Sequence, residues 1–205
     1  MGVYDLEEEV GDARKIELFI HAKAQAIKLK IYKIAITGPE STGKSTLARQ
    51  LAIYYETVWV PEYAREYIDR LGRPYHEEDL VEMARGHSER EKEAMEKANR
   101  FLFTDTELTN LKIWSEHKYG RCAPEILDML EKQNYDLYLL CAPDLPWAED
   151  AQRENPEKGE HFFEGFVHEL EKREGNVHIV RGIGEIRVKS AVSFIDSSFT
   201  KNPYA

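Results

Sequence analysis

Short apolar runs of strand length alternate with charged segments along most of the chain. The runs are IYKIAIT (31–37), TVWV (57–60), FLFT (101–104), DLYLLCA (136–142) and NVHIV (176–180). Each is rich in β-branched or aromatic residues, and the segments between them are long and charged enough for helices. Five strands alternating with helices predict an α/β fold with a five-stranded, mostly parallel sheet covered by helices on both faces. Ligands of such sheets bind outside the carboxyl ends of the strands.

The first thirty residues have a different pattern. They are polar and charged, with apolar residues at roughly helical spacing: Ile16, Phe19, Ile20, Ala24 and Ile27. We therefore expect a leader helix over residues 1–30 and one catalytic domain over residues 31–205, since 205 residues suffice for one α/β domain. The segment from Pro143 to Glu160, rich in Pro, Asp, Glu and Arg, is the longest predicted loop and a candidate mobile lid.

The charge and cysteine content exclude several classes of function. The formal net charge is -10, and Lys and Arg are interspersed with acidic residues, which argues against a nucleic-acid partner. Cys122 and Cys141 show no zinc-ligand spacing, and the apolar runs are far shorter than the roughly 20 residues of a membrane helix. These features favour the reducing cytoplasm and exclude a membrane protein. They leave the oligomeric state open, including a homo-oligomer.

Between the first run and the next helical pattern stands GPESTGKS, which fits GxxxxGK[ST]. In this loop, glycines let successive backbone N–H groups surround phosphate oxygens at a helix N-terminus. Lys44 supplies a charge for the β- and γ-phosphates, and the Ser45 hydroxyl can bind Mg²⁺. The sequence thus predicts ATP and Mg²⁺ as cofactors, with ATP held by Gly38, Glu40, Ser41, Thr42, Gly43, Lys44, Ser45 and Thr46.

Two carboxylates follow predicted strands and are expected at the same sheet edge as this loop. Glu62 follows TVWV through Pro61, and Asp105 follows FLFT. Phosphoryl transfer uses one carboxylate for the metal and another to orient or deprotonate the attacking hydroxyl. We assign Asp105 with Ser45 to the metal and Glu62 to the acceptor, with the reverse division of the two roles as the alternative. A helix N-cap or a solvated loop acid is a further alternative for either residue, and Thr106 and Glu107 after Asp105 are consistent with capping.

The remaining candidates are aromatic and basic residues near these carboxylates. Tyr63 and Arg65 follow Glu62, and Arg65 shares its helix face, with a surface pair to Glu66 or Asp69 as the alternative. Two further candidates, Trp114 and Tyr119, come after the Asp105 strand and could stack on a planar or cationic ring, although aromatic residues at helical spacing are more often core. In the candidate lid, Arg153 could neutralise charge on the phosphates during transfer; Arg121 is its rival, and a solvent-exposed loop arginine without such a role is the other alternative.

Several segments together resemble a known family. They are GPESTGKSTLA (38–48), VPEYAREY (60–67), FLFTDTE (101–107), IWSEHKYG (113–120) and LYLLCAPDLPWAEDAQRENP (137–156). In this order they resemble the ribosylnicotinamide kinase module of the NadR type, an AAA-like P-loop kinase, over about residues 31–196. PEYARE and DLPW are far more specific than the phosphate loop alone.

The resemblance implies a P-loop NTPase fold and an ATP-dependent phosphotransferase that converts nicotinamide riboside to nicotinamide mononucleotide in NAD salvage. It implies that Asp105 is the acidic residue of a Walker B-like strand, that Arg153 faces the phosphates from a lid over residues 144–156, and that Gly182 to Gly184 lie near adenine. Two alternatives remain: a kinase for another nucleoside, and a P-loop ATPase acting as a regulatory switch. The absence of an NKxD guanine motif argues against a GTPase.

Overall fold

A computed structural model describes residues 30–173 and 175–199, so the predicted leader helix lies outside the described residues, apart from Lys30. From Ile31 onward the described residues belong to one compact unit. The sheet has the strand order β2-β3-β1-β4-β5, and every neighbouring pair is parallel. Its strands are β1 (Tyr32–Thr37), β2 (Trp59–Val60), β3 (Phe101–Asp105), β4 (Leu137–Cys141) and β5 (Val177–Val180). The predicted five-stranded α/β fold is confirmed.

Helices cover both faces of this sheet. They are α1 (Lys44–Tyr54), α2 (Tyr63–Leu71), α3 (Glu77–Met95), α4 (Leu108–Tyr119), α5 (Pro124–Lys132), α6 (Gly159–Glu171) and α7 (Glu185–Phe199). Strand β1 shows how the faces are divided: Ile34 and Ile36 pack with α1 and α7, whereas Ala35 packs with α4 and α6. Because side chains alternate along a strand, an uninterrupted apolar run can serve both layers. A third apolar cluster joins α2, α3, α4 and α5 beside the sheet.

Strand β2 is shorter than the four residues predicted. The backbone N–H of Thr57 donates to the carbonyl of Ala52 in α1 (2.9 Å), and the Thr57 hydroxyl donates to the carbonyl of Phe101 (2.6 Å). The Thr57 side chain therefore replaces a ladder hydrogen bond, and the strand begins only at Trp59. Strand β3, by contrast, is one residue longer than predicted, because Asp105 pairs in register with Ile36.

The strand order places a crevice at the carboxyl end of β1. Strand β1 lies between β3 and β4, and the chain continues to β2 and β3 on one side and to β5 on the other. Such a topological switch point, at which the strand order changes direction, is where parallel sheets bind ligands. The loop over residues 143–158, called the lid loop below, connects β4 to α6. Helix α6 already begins at Gly159, so the predicted end of the loop at Glu160 was two residues too late.

Candidate functional site

The phosphate loop lies between β1 and α1, as its sequence predicts. Gly38 has φ 130°, and a Cβ atom there would stand 2.7 Å from the carbonyl oxygen of Cys141, so only glycine fits. Gly43 has φ 75° and caps α1. The side chains of Thr42 and Lys44 both donate to the carbonyl of Pro39, at 2.8 and 2.6 Å. The loop is thus preformed around the positive end of a helix dipole, where anions bind.

A cavity of about 350 Å³ extends from this loop to α2, α4 and the lid loop. Its wall contains these predicted residues: Glu40 to Thr46, Glu62, Arg65, Trp114 and Arg153. Its volume is within the range of small-molecule sites. Residues from four separate parts of the chain, the phosphate loop included, therefore meet in one space.

Asp105 ends β3 and is almost completely buried, with its Oδ1 atom lacking a hydrogen-bond partner. Burial and then the charge of Glu62 raise the pKa of Asp105 to about 6, although Lys44 and Ser45 act in the opposite direction. The carboxylate is therefore mainly ionised at neutral pH. No cluster of three His, Cys, Asp or Glu residues that could hold a metal occurs in the described part of the chain.

This arrangement fits Mg²⁺ bound in the manner usual for kinases. Mg²⁺ takes oxygen ligands and keeps waters and substrate phosphates in its shell, so it needs few protein groups. The unpaired Oδ1 of Asp105 and the Ser45 hydroxyl are oxygen donors of this kind. Glu62, the other predicted carboxylate, precedes α2 at its N-cap position without making a side-chain cap bond, and its carboxylate is 3.8 Å from Arg65 Nε.

The capping role that was considered as an alternative for Asp105 belongs to Glu107. Glu107 is buried, and its carboxylate accepts hydrogen bonds from the Thr109 backbone N–H (2.7 Å), the Thr37 hydroxyl (3.1 Å) and Gln133 Nε2 (2.8 Å). It thereby fixes the end of β1, which leads into the phosphate loop, to the start of α4. Sequence reasoning considered Glu107 only as a cap and missed this bridging position.

Two predicted aromatic residues do not reach the cavity wall. Tyr63 instead packs against Gly86 of α3, where a Cβ atom would stand 2.2 Å from its ring, and Arg90 lies 4.7 Å from the ring centroid. Tyr119 packs in the helical cluster, and its hydroxyl donates to the Tyr75 carbonyl at 3.4 Å. The expectation that these two rings line the substrate site therefore has no support in the geometry.

Trp114 does line the cavity and stacks on Phe162 of α6, with ring centroids 6.1 Å apart. Tyr75, which sequence reasoning missed, supplies a second aromatic wall. The ammonium group of Lys118 lies 3.8 Å from the centroid of the Tyr75 ring. The cavity therefore offers two aromatic side chains, and one of them, Tyr75, already has the Lys118 ammonium group over its ring.

The lid loop is held from both sides of the cavity. On the phosphate-loop side, the Glu40 carboxylate accepts from the backbone N–H groups of Glu154 (3.3 Å) and Asn155 (3.2 Å). On the α2 side, Arg65 donates to both oxygens of Asp150, at 3.0 and 2.8 Å, in place of the alternative pairs considered from sequence. Burial raises the pKa of Glu40, an effect that the two N–H groups oppose.

Arg153 lies in the cavity wall, but its guanidinium donates to the carbonyl of Ala148 within the lid loop. Its rival Arg121 forms a two-point pair with Glu77, at 2.8 and 2.7 Å, and is absent from the wall. Of the two arginines, Arg153 is therefore the one placed near the phosphate loop.

Arg187 of α7 is a buried arginine that sequence reasoning missed. Its guanidinium donates to the carbonyls of Gly182 (2.8 Å), Thr42 (3.1 Å) and Ala142 (3.2 Å), and it pairs with Asp144. These contacts connect the phosphate loop, the end of β4, and the loop after β5. A single arginine in an amphipathic segment gives no signal of this kind in a sequence, because two of its three carbonyl partners, Thr42 and Ala142, are far away along the chain.

Comparison with known proteins agrees with this geometry. A family model described as an AAA domain matches residues 33–187. The chain is 31% identical over 126 residues to the trifunctional NAD biosynthesis/regulator protein NadR of Escherichia coli K12, a match covering 58% of this chain and 30% of that protein. NadR of Salmonella typhimurium LT2 matches equally, again at 31% over 126 residues. The match thus spans about a third of the length of these curated relatives.

Solved structures share the fold at lower identity. NadR in complex with NR has a TM-score of 0.70 at 22% identity, covering 83% of this chain and 52% of that one. Thymidylate kinase from Ehrlichia chaffeensis has a TM-score of 0.58 at 14% identity, covering 82% of this chain and 99% of that one.

Among the helices within residues 30–173 and 175–199, none combines the length and the apolar character that a membrane-spanning segment needs.

The predicted P-loop NTPase fold and the predicted resemblance to the NadR type are both confirmed. The family model extends from β1 through the phosphate loop, the lid loop and Arg187, and so covers the elements that form the cavity. The chain belongs to the AAA domain family.

Proposed function

We propose that this chain is an ATP-dependent kinase that phosphorylates nicotinamide riboside to nicotinamide mononucleotide. The observation that carries the proposal is the cavity itself, in which the phosphate loop opens directly onto an aromatic-lined space beneath the lid loop. A kinase needs an acceptor site next to the γ-phosphate, whereas an ATPase that transfers phosphate to water does not.

The proposed chemistry is mainly positioning and charge neutralisation. The phosphate loop and Lys44 hold the nucleotide phosphates. Ser45 and Asp105 would hold Mg²⁺, which when bound neutralises charge on the phosphates. Glu62 orients the acceptor hydroxyl and accepts its proton, and Arg153 turns from Ala148 toward the transferring phosphate. The protein's own groups thus surround the transfer from the nucleotide side, the acceptor side and the lid loop.

The acceptor assignment rests on two supports. The relatives are NAD biosynthesis proteins, and one solved relative is described as a complex with NR. Trp114 in the cavity wall offers an aromatic face, and aromatic faces attract cationic rings such as a pyridinium. A kinase for another nucleoside is the alternative. A cytoplasmic location and the absence of a nucleic-acid partner belong to the same proposal.

Turnover across a panel of nucleosides tests this function. Release of ADP from ATP and Mg²⁺ should depend strictly on an added nucleoside, and mass spectrometry should identify nicotinamide mononucleotide as the best product. If thymidine or uridine is converted efficiently and nicotinamide riboside is not, the assignment of the acceptor is wrong and the assignment as a kinase is right. ATP turnover that no nucleoside alters would instead support the regulatory switch. Lys44→Ala should abolish ADP release and serves as the background control.

A further inference from the structure

Asn110 places an uncharged polar side chain in the cavity wall. It lies in the first turn of α4 with 8% of its surface exposed. Its backbone N–H donates to the Glu107 carbonyl at 3.0 Å, but within residues 30–173 and 175–199 its carboxamide has no hydrogen-bond partner. Because its carboxamide atoms are not among the fully buried side-chain atoms that lack a partner, the group is accessible from the cavity and available to a ligand.

Two other polar side chains of the wall, Gln152 and Arg73, are already engaged. The second carboxamide, that of Gln152, donates to the Arg65 carbonyl (3.2 Å) and to Asp69 (2.5 Å). Arg73 is paired with the buried Asp79 at 2.7 and 2.9 Å. Asn110 differs from these residues because it is both buried and unpaired, which is the arrangement of a group reserved for recognition.

The position of Asn110 along α4 shows which part of an acceptor it would meet. Asn110 and Trp114 are four residues apart on the cavity side of the helix, so about 6 Å of helix axis separates them. Asn110 is the nearer of the two to the end of β3, where Asp105 lies. With the reacting hydroxyl at Glu62 and Asp105 and the flat ring on Trp114, the sugar lies level with Asn110.

We infer that Asn110 hydrogen-bonds the ribose 2′- and 3′-hydroxyls of the acceptor and selects ribosides over deoxyribosides. This inference rests on the proposed kinase function. A carboxamide has one acceptor oxygen and two N–H donors, which complement two neighbouring hydroxyls that both donate and accept. A deoxyriboside leaves the buried amide unpaired, and the expected loss in kcat/KM is about ten- to a hundredfold.

The test compares nicotinamide riboside with its 2′-deoxy and 3′-deoxy analogues in the wild-type full chain and in Asn110→Leu. Asn110→Leu should lower kcat/KM for the riboside about ten- to a hundredfold and leave the deoxy analogues nearly unchanged, so that the preference disappears. Trp114→Leu is the matched control on the same helix face and should lower all three together. Circular dichroism checks folding, and Asn110→Ala replaces Asn110→Leu if the latter does not fold. Calorimetric Kd values for the three nucleosides give a second readout.

Four results would overturn the inference. If the wild type phosphorylates the riboside and its deoxy analogues equally well, or if the Asn110 variants keep the wild-type preference, the assignment of Asn110 is wrong and the kinase function stands. If the Asn110 variants lower all three substrates equally, the residue is structural. If the wild type neither binds nor phosphorylates any nucleoside, both the proposed function and this inference fail. Should a different nucleoside be the acceptor, the same comparison is made with that nucleoside and its 2′-deoxy form.

Discussion

Replacing Arg187 by methionine should destabilise the protein far more than replacing its acidic partner. Methionine has a similar length but no donors, so Arg187→Met leaves three carbonyls without the guanidinium and Asp144 without its ion pair. Arg187 is 4% exposed, and those contacts are accordingly little screened by solvent. The side chain of Asp144 is 30% exposed, which allows water to replace part of its lost partner.

The expected magnitude follows from these burials. Removing one partner of a buried ion pair typically costs about 3–5 kcal/mol. We expect about 4 kcal/mol for Arg187→Met, with about 1 kcal/mol from each of the three carbonyls that lose a donor and about 1 kcal/mol from the partly solvated ion pair. Arg187→Lys keeps the charge, but one ammonium group cannot serve the same set of acceptors, so about 2 kcal/mol should be lost. Asp144→Asn should cost only about 1 kcal/mol.

Urea unfolding followed by circular dichroism measures these differences, provided that the slope with denaturant stays constant among the variants. Since Arg187 also holds the Thr42 carbonyl within the phosphate loop, the Kd for ATP should rise in both Arg187 variants and less in Asp144→Asn. A loss below about 1 kcal/mol for Arg187→Met would refute the reasoning. An equal loss for Asp144→Asn would show that the ion pair, and not the set of carbonyls, provides the stabilisation.

Further predictions concern the two carboxylates and the chain start. Glu62→Gln should leave Mg·ATP binding nearly unchanged and lower the rate of phosphoryl transfer by about 10²- to 10⁴-fold, whereas Asp105→Asn should weaken the response to Mg²⁺. Titration of both variants with Mg²⁺ at saturating acceptor distinguishes the two roles, and the opposite pattern would mean that the roles are reversed. Because the pKa of Asp105 is raised to about 6, its carboxylate is lost as the pH falls through that value, so half-maximal activity should need more Mg²⁺ at low pH in the wild type but not in Asp105→Asn. The same raised pKa means that the folded state binds the proton more tightly than the unfolded chain, so wild-type stability should fall as the pH rises from about 4 to about 6. Asp105→Asn should therefore be the more stable protein at pH 7 in urea unfolding. Deleting residues 1–25 should retain turnover, since they precede the first core strand in the sequence and contain none of the candidate site residues; a truncated protein that is folded by circular dichroism but inactive would contradict this.

The sequence was sufficient for the fold class and for the phosphate loop because both depend on local pattern. Alternating strand-length runs and helical segments predicted the parallel sheet, and Gly38 and Gly43 adopt positive φ values that their motif requires. Strand-end position correctly placed Glu62 in the cavity wall and Asp105 at the end of β3. The limits of β2 were wrong because the Thr57 side chain takes a bond that the pattern assigned to the backbone.

Only the tertiary structure decided which side chains meet across distant segments. Helical spacing shows that residues share a face but not what that face contacts. Tyr63 and Tyr119 were therefore predicted at the substrate site, whereas Tyr63 packs against α3 and Tyr119 packs in the helical cluster. The bridge made by Glu107 and the carbonyl contacts of Arg187 join residues up to 145 positions apart. Burial, charge pairing and unpaired donors are properties of an assembled cavity, and for that reason no local pattern could have identified Asn110.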